Sequence, residues 1–261
     1  GQILSTRPDF VAPEYIAEFG KLRDRVPPVP AEAVIGIIER ELGGKVENLF
    51  AEFDREPVAA ASIGQVHGAV LHDGTRVVVK VQKPGVAETV AEDLGILADL
   101  ARRVSGGRFA SFYDLEALVD DFAWTLRSEL DYVREGRNAD RRRQIPGHQL
   151  TIDVPAVRWE LTTGTVLVLE RMDGTRLIEV AELPADIDPR SLARAGAEAL
   201  LRQVFEAGFF HADPHPGNFL VMPCGRLAML DFGMVRYLDD ELKLRLMQLL
   251  GAAIRQGAAD A

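Results

Sequence analysis

The chain has 261 residues, of which 47% are apolar and 27% charged, which excludes a wholly disordered or fibrous protein. Its 40 acidic and 30 basic residues give a formal charge of -10, which disfavours non-specific nucleic-acid binding over most of the surface. A single cysteine, Cys224, excludes an intrachain disulfide and fits a reduced, cytoplasmic setting. No apolar run approaches the roughly 20 residues that span a bilayer, so we expect no transmembrane segment in this chain.

The N-terminal part of the chain has helix signals followed by strand signals. "PEYIAEFGKLRD" and "PAEAVIGIIEREL" have apolar residues at helical spacing, and the proline-rich "VPPVP" separates them. Between residues 49 and 82 short β-rich runs follow, with a turn at "HDGT" and a stop at "PG". The pattern predicts an N-terminal helical extension over 1–48 and then an antiparallel sheet.

Further along the chain, helices are predicted over 86–104 and 113–143, and strands in "LTIDVPAVRWE" and "TVLVLERM". "DPRSLARAGAEALLRQVFEAGFF" predicts an amphipathic helix that begins at Asp188-Pro189, and "FLVM" and "LAML" are two strands around the turn "PCGR". A last helix is predicted from about 239, and the basic run "DRRRQ" is predicted as a solvated helix end. The fold class is therefore α+β.

A strand lysine, an Asp-x-x-x-x-Asn loop and a "DFG" follow one another along the chain. They are Lys80, Asp213 with Asn218 in "HADPHPGN", and Asp231. Phosphoryl transfer needs a cation on the α- and β-phosphates, a carboxylate that orients the acceptor, and oxygen ligands for Mg²⁺. Each motif alone is weak, but together and in this order they match the protein-kinase set of roles and indicate a nucleotide-phosphate site.

The same loop allows a competing interpretation as a zinc site, because His211, Asp213 and His215 resemble metal-ligand spacing. His-x-x-x-His binds zinc when a helix places both rings on one face, and Pro214 and Pro216 disfavour a helix here. We therefore expect His211 to fix the loop by hydrogen bonds.

Lys80 needs a carboxylate partner, because a buried ammonium without one is costly. "RSELDYVREGRN" offers Glu129, Asp131 and Glu135. Positions 129 and 135 differ by about 240° in direction on an ideal helix, so one helix cannot aim both at the lysine. We predict Glu135 as the partner of Lys80, and Glu129 with Asp131 as a second polar contact near the phosphates; the alternative is that they are solvated surface carboxylates.

The stretch "VAAASIGQVH" has alanines where a phosphate-cradling loop usually has glycines. Alanine largely forbids positive φ and hinders close approach to phosphate, so this loop should be stiffer than a glycine loop, although its amides can still donate hydrogen bonds. "VLVLERMDG" would hold an adenine beside a hinge at 170–172. The predicted nucleotide contacts are Ala59, Ala60, Ala61, Ser62, Gly64, Gln65, Lys80, Glu170 and Met172.

Several motifs together closely resemble the UbiB family of atypical protein-kinase-like proteins, whose eukaryotic members are called ADCK proteins. They are "GQILSTRPD", "LRDRVPP", "VAAASIGQVH", "VVVKVQKPG", "SELDY", and "FFHADPHPGN" ahead of "LDFG", and the similarity covers essentially the whole chain. "HADPHPGN" is also similar to the loop of choline-kinase and aminoglycoside-phosphotransferase-like enzymes. The resemblance implies a two-lobed kinase fold that binds ATP and Mg²⁺, with a first lobe over 49–172 that carries inserted helices and a hinge, and a second lobe over 173–261. It also implies ATPase or phosphotransferase activity in support of ubiquinone or related isoprenoid-lipid biosynthesis.

The resemblance also implies roles for individual residues. Lys80 would contact phosphates and pair with Glu135, and Asp213 would be the catalytic-loop aspartate. Asn218 and Asp231 would bind Mg²⁺.

Two further motifs of the family concern the N-terminal extension and the environment of the site. Glu129 and Asp131 match a Glu-x-Asp motif, and Gln2 belongs to the end of a Lys-x-Gly-Gln motif whose lysine would precede Gly1. The N-terminal helices would then lie over the active site and limit access by protein substrates, and the helix at 86–104 would be an insertion.

A peripheral position at the inner membrane, with an isoprenoid or quinone-precursor lipid as a partner, is implied by the resemblance alone. An ATP-binding regulatory scaffold and a small-molecule kinase of the choline-kinase type are the alternatives.

Overall fold

The computed structural model describes residues 27–105, 114–145, 152–182, 187–212 and 214–259. The chain divides into two compact units, the first drawn from Gly1–Val133 and Val157–Arg171, the second from Arg134–Ala156 and Met172–Ala261. Both units combine helices with antiparallel strand pairs, which confirms the α+β prediction. The helix predicted at 13–24 lies outside the described residues.

The first unit is built on a four-stranded antiparallel sheet in the order β1-β2-β3-β5. This confirms the antiparallel sheet predicted from residue 49 onwards. Its helices and strands are α1 (Ala31–Leu42), α2 (Val46–Leu49), β1 (Glu52–Ala60), β2 (Gly64–Val70), β3 (Arg76–Gln82), α3 (Val86–Val104), α4 (Leu115–Glu129) and β5 (Val166–Glu170).

The two faces of β3 have different neighbours because successive side chains on a strand point to opposite sides. On one face Val77, Val79 and Val81 are fully buried in a core that also contains apolar residues of α1. Those helix residues, Val34, Ile37 and Ile38, follow the spacing of an amphipathic helix. The other face of β3 carries positions 78, 80 and 82.

The second unit has shorter strands. One sheet has the order β4-β9-β8-β6, and β7 pairs with β10 in an antiparallel ribbon. Strands β8 and β9 form the hairpin predicted around "PCGR". The elements are β4 (Ile152–Asp153), β6 (Thr175–Arg176), α6 (Pro189–Arg202), β7 (Phe209–His211), β8 (Phe219–Val221), β9 (Leu227–Met229), β10 (Val235–Tyr237) and α7 (Asp240–Ala259), while α5 (Tyr132–Arg143) runs from the first unit into the second.

The helix predicted over 113–143 is wrong as a single element, because α4 ends at Glu129 and α5 begins at Tyr132. The interruption coincides with contacts from distant parts of the chain. Gln82 Nε2 donates a hydrogen bond of 2.6 Å to the carbonyl of Leu130, and the amide of Tyr132 donates one of 3.3 Å to the carbonyl of Gly164. Both partners lie outside 113–143, so the apolar periodicity of that segment gives no sign of the interruption.

The helix predicted from Asp188 begins there but ends early. Asp188 caps α6 by accepting from the amides of Arg190 and Ser191, as the start signal predicted. After α6, one π-helical turn spans Gln203–Ala207, and Phe209 already lies in β7. The predicted helix is therefore wrong for 209–210. The strand predicted in "LTIDVPAVRWE" is reduced to the two residues of β4.

The basic run "DRRRQ" lies at the C-terminal end of α5, and Arg141 and Arg143 are exposed, as predicted for a solvated helix end. Arg142 is only 2% exposed, and burial lowers its pKa from the ordinary value to about 9. The guanidinium of Arg141 lies 5.0 Å from the ring centroid of Phe209 and 4.9 Å from that of Tyr237. The prediction of solvated arginines is therefore wrong for Arg142 alone, which is buried.

Within the described ranges, no helix is both long enough and apolar enough to cross a membrane.

Candidate functional site

Lys80 occupies the middle of β3, where strands on both sides fix its backbone. It lies opposite Val66 of β2 and Leu167 of β5. Its side chain is half-buried, and Nζ lies 4.9 Å from the ring centroid of Tyr132. The predicted strand lysine is therefore held on a sheet and placed over an aromatic ring.

The alanine-rich stretch is mostly strand. Ala59 and Ala60 are the last residues of β1 and pair with Val66 and Gln65. Only Ala61–Ile63 connects β1 to β2, and the amide of Ala61 donates a 2.8 Å hydrogen bond to the carbonyl of Gly64. Ala61 and Ser62 are exposed at this turn. The turn is short and internally bonded, and its stiffness relative to a glycine loop stays a prediction.

Gly64 is needed because its surroundings leave no room for a side chain. A Cβ at this position would lie 2.7 Å from the carbonyl oxygen of Val81 and would meet the hydroxyl of Tyr132. Gly64 is the first residue of β2 and does not adopt a left-handed conformation. Close packing, and not a special backbone conformation, is therefore the reason for glycine at this position.

The side chain of Gln65 faces the protein interior and is 1% exposed. Its Oε1 accepts a 2.9 Å hydrogen bond from the amide of Val29, and its Nε2 donates to Nε2 of His67 at 2.8 Å. His67 in turn donates through Nδ1 to the carbonyl of Asp54 at 2.8 Å. The side-chain amide of Gln65 thus ties the residues before α1 to the nucleotide-loop strands.

The three candidate carboxylates lie on two helices. Glu129 is the last residue of α4, Asp131 lies between the helices, and Glu135 is on α5. The sequence argument placed them on one ideal helix, and that premise is wrong. Glu135 is 2% exposed and Asp131 is exposed, so of these two only Glu135 is buried as a lysine partner should be. The pairing of Lys80 with Glu135 stays a prediction.

The predicted hinge follows β5. Glu170, the last residue of β5, lies opposite Val77, and the amide of Arg171 donates a 3.0 Å hydrogen bond to the carbonyl of Arg76. Met172 is the first residue of the second segment of the second unit. Glu170 and Met172 are both half-buried, and their contact with an adenine stays a prediction.

Asn218 and Asp231 flank the same end of a hairpin, although thirteen positions separate them in the sequence. Phe219 of β8 lies opposite Met229 of β9, and the amide of Leu230 donates a 2.9 Å hydrogen bond to the carbonyl of Asn218. This bond continues the ladder by one step and places the residue before β8 beside the chain that leads into Asp231. Amide and carboxylate oxygens are ligands that Mg²⁺ prefers.

The "DFG" backbone is fixed from two sides. Asp231 Oδ1 accepts a 2.8 Å hydrogen bond from the amide of Gly233, and Asn138 Nδ2 donates one of 2.8 Å to the carbonyl of Phe232. Phe232 is 1% exposed and Asn138 is 5% exposed. Sequence reasoning missed Asn138. The sequence feature that could have indicated it is the spacing of Glu135, Asn138 and Arg142, which places all three on one face of α5, where they are buried.

The loop before Asn218 is only partly described, because Asp213 lies outside the described residues, as does Gln2. His211 is 5% exposed, and its amide donates a 3.0 Å hydrogen bond to Oε1 of Gln203 in the π-helical turn. His215 Nδ1 accepts from the amide of Gly217 at 3.0 Å. Among the residues that the structure describes, no three His, Cys, Asp or Glu side chains are grouped as a metal site.

Comparison with known proteins points to one family. The family model described as the ABC1 atypical kinase-like domain matches residues 21–260. The Synechocystis protein named sll1770 is 41% identical over 99% of this chain and 45% of its own length. The Arabidopsis thaliana protein named ACTIVITY OF BC1 COMPLEX KINASE 3, chloroplastic, is 38% identical over 95% of this chain and 35% of its own length. The chain thus spans less than half the length of these two relatives.

A solved structure agrees with this match. It is the complex of Rv3197 with erythromycin from Mycobacterium tuberculosis, with 31% sequence identity and a TM-score of 0.66. The alignment covers 91% of this chain and 60% of the Mycobacterium tuberculosis chain. The predicted fold class and the predicted family are both confirmed.

Proposed function

Because the chain belongs to the ABC1 atypical kinase-like family, also called the UbiB or ADCK family, we propose that it binds Mg-ATP and acts as an atypical kinase or ATPase. The observation that carries the proposal is the hairpin that places Asn218 beside the chain leading into Asp231. An amide and a carboxylate at one hairpin end are the donor set that kinase-type sites use for Mg²⁺.

In this proposal the first unit contributes the contacts to the phosphates. Lys80 supplies the cation, and the exposed Ser62 in the turn after β1 offers its backbone amide and its hydroxyl. Glu135 orients the lysine, as in the predicted ion pair. Bound Mg²⁺ would neutralise negative charge on the phosphates, and Asn218 and Asp231 would hold it.

A catalyst is favoured over an ATP-binding scaffold by the residues around the second unit's hairpin. Binding alone needs no group that accepts a proton, whereas this sequence has Asp213 together with Asn218. The scaffold alternative predicts nucleotide binding without ADP release under any condition. The choline-kinase-type alternative rests on "HADPHPGN" and predicts that an amino-alcohol or aminoglycoside stimulates ADP release.

The first test is nucleotide-dependent thermal stability. We expect Mg-ATP to raise the melting temperature of the chain, and Asp231→Asn to abolish this shift because it removes a ligand charge. Asp240→Asn is a matched control, since it makes the same change at a carboxylate that is 97% exposed. The control should keep the shift. The absence of any nucleotide-dependent shift in the unsubstituted chain would refute the proposal.

The second test concerns the acceptor and the membrane. We propose that the reaction supports ubiquinone or related isoprenoid-lipid biosynthesis at a membrane surface. ADP release with Mg²⁺ should then rise on addition of anionic lipid vesicles or phenolic quinone precursors, and not on addition of amino-alcohols. Stimulation by amino-alcohols alone would favour the choline-kinase-type activity instead.

A further inference from the structure

We propose that Tyr132 is a positioning residue for Lys80, holding the ammonium against its ring so that the lysine is pre-arranged for nucleotide phosphates. The inference rests on the proposed nucleotide site and adds to it a residue that the sequence analysis did not single out. Nζ of Lys80 lies 4.9 Å from the ring centroid, within the range of a cation–π interaction. Both residues belong to the first unit.

The ring is held in place by apolar residues on the face of the sheet that carries Lys80. Tyr132 is 1% exposed and packs with Leu167 and Leu169 of β5. Leu167 lies directly opposite Lys80 in the sheet, so the lysine and the ring share one face of the strands. A buried ring of this kind cannot change its position without disrupting the cluster.

The backbone of Tyr132 is fixed by the same face of β3. Gln82 lies two residues after Lys80, and its Nε2 donates to the carbonyls of Leu130 at 2.6 Å and Gly164 at 3.1 Å. The amide of Tyr132 also donates to the carbonyl of Gly164. One strand face therefore supplies both the lysine and the glutamine that secures the start of α5.

The hydroxyl end of Tyr132 approaches the end of the turn between β1 and β2, which is proposed to contact phosphate. The hydroxyl oxygen is the heavy atom nearest to the position that a Cβ on Gly64 would take, and Gly64 directly follows the Ala61–Ile63 connection. A lysine side chain has a flexible four-carbon stem, so its ammonium needs a fixed neighbour to keep one position. The ring provides that neighbour beside the residues that are proposed to contact phosphate.

The contact can be tested without nucleotide. The chain has five lysines, and reductive methylation with ¹³C-formaldehyde gives each a separate NMR signal while its charge is kept: Lys21, Lys45, Lys80, Lys83 and Lys243. Ring current should move the Lys80 signal, assigned with Lys80→Arg, upfield of the exposed Lys45 signal. Tyr132→Phe should keep the shift and Tyr132→Leu should remove it. A Lys80 signal unaffected by Tyr132→Leu would overturn the proposal.

The functional consequence is tested by Mg-ATP dissociation constants. A cation–π interaction of this type is worth about 1–2 kcal/mol, so Tyr132→Leu should weaken Mg-ATP binding by roughly 5- to 30-fold. Tyr132→Phe should stay within about twofold of the unsubstituted chain, since the ring remains. Val79→Ala is the control: it removes two methyl groups from the core on the opposite face of β3, so it should lower stability and leave Mg-ATP affinity unchanged.

A double-mutant cycle separates positioning from a merely structural role. In a Lys80→Met background, Tyr132→Leu should cause no further loss of Mg-ATP affinity, because the ring acts through the lysine. An equal loss in both backgrounds would show that Tyr132 acts by packing alone and would overturn the proposal. If the unsubstituted chain binds no Mg-ATP, the proposed function fails, while the NMR shift still decides whether the ring holds Lys80.

Discussion

The two units hold their candidate site residues by different means. Lys80 stands in the middle of a seven-residue strand with neighbours on both sides, and its position follows from how the sheet packs. Asn218 and Asp231 flank three-residue strands, and the chain around them is fixed by side-chain hydrogen bonds. One of these, from Asn138 to Phe232, joins residues 94 positions apart. Packing therefore positions the lysine, whereas a few polar contacts position the hairpin and "DFG".

This difference predicts two kinds of sensitivity. Substitutions that take up space should be most harmful beside β3, because close-packed interiors do not absorb extra atoms. Substitutions that remove one hydrogen-bonding group should be most harmful in the second unit, because they leave a buried partner unsatisfied. Unfolding by urea and Mg-ATP binding distinguish the two cases, since loss of stability and loss of affinity need not occur together.

The largest expected effect is that of Gly64→Ala. The added Cβ would lie 2.7 Å from the backbone oxygen of Val81, which cannot move independently of β3. We expect a loss of about 3 kcal/mol in the free energy of unfolding, at the upper end of typical overpacking costs.

Gly36→Ala is the matched control for this substitution. Gly36 lies within α1, and a Cβ there would meet nothing within 4 Å. The change should stabilise the chain by about 0.5–1 kcal/mol, because alanine has a higher helix propensity than glycine. Equal urea midpoints for the two variants would contradict the packing argument.

The next largest effect is expected from Asn138→Leu in the second unit. The substitution keeps the number and branching of the side-chain heavy atoms but removes the donor to the buried carbonyl of Phe232, at a cost of about 2 kcal/mol. It should also weaken the dependence of nucleotide binding on Mg²⁺, because the backbone next to Asp231 loses its anchor. Isothermal titration at several Mg²⁺ concentrations measures this dependence.

Arg137→Gln is the control on the preceding residue. Arg137 is exposed on α5, so we expect stability within about 0.5 kcal/mol of the unsubstituted chain and unchanged Mg²⁺ dependence. A loss of stability in Asn138→Leu with an unchanged Mg²⁺ dependence would restrict Asn138 to a structural role.

The same contrast explains which features the sequence could predict. Residues with a clear period, such as the alternating valines of β3 and the apolar positions of α1, gave the correct elements because local pattern and packing agree. The break between α4 and α5 coincides with hydrogen bonds to Gln82 and to the carbonyl of Gly164. Both residues lie outside 113–143, so the periodicity of that segment could not predict the break.

The candidate site shows the same limit. The order of Lys80, Asn218 and Asp231 in the sequence was enough to name them, because kinase-type chemistry has a recognisable set of groups. Tyr132 and Asn138 were missed because an aromatic ring and an amide on a helix are usually structural. Their importance depends on a lysine and a carbonyl that approach them only in the folded chain.

A smaller effect is expected at the ion pair that connects β4 to the hairpin. Arg226 donates from Nε and an Nη to the two carboxylate oxygens of Asp153, each at 2.8 Å, and both side chains are partly exposed. Arg226→Lys cannot reproduce the two parallel hydrogen bonds and should cost about 0.5–1 kcal/mol. The cost should shrink in high salt, which urea unfolding at two ionic strengths would measure. A cost independent of salt would indicate lost packing instead.

A similarly small effect on stability, together with a clear effect on nucleotide binding or turnover, is expected for Ala61→Gly. Ala61 is exposed at the turn, and the hydrogen bond from its amide to the carbonyl of Gly64 does not need the methyl group. The free energy of unfolding should therefore stay within about 0.5–1 kcal/mol of that of the unsubstituted chain. Glycine would allow the turn to reach conformations that alanine forbids, and nucleotide affinity or turnover should therefore change.

Ala51→Gly is the control for Ala61→Gly, because Ala51 is an exposed alanine at the other end of β1. It should lower stability by a similar amount and leave Mg-ATP affinity and ADP release unchanged. If Ala61→Gly also leaves Mg-ATP affinity and ADP release unchanged, the turn does not contact phosphate. The first unit would then act on the nucleotide through Lys80 and not through the turn. That outcome would sharpen the comparison of the two units, since the lysine on its sheet would then be the first unit's main contribution.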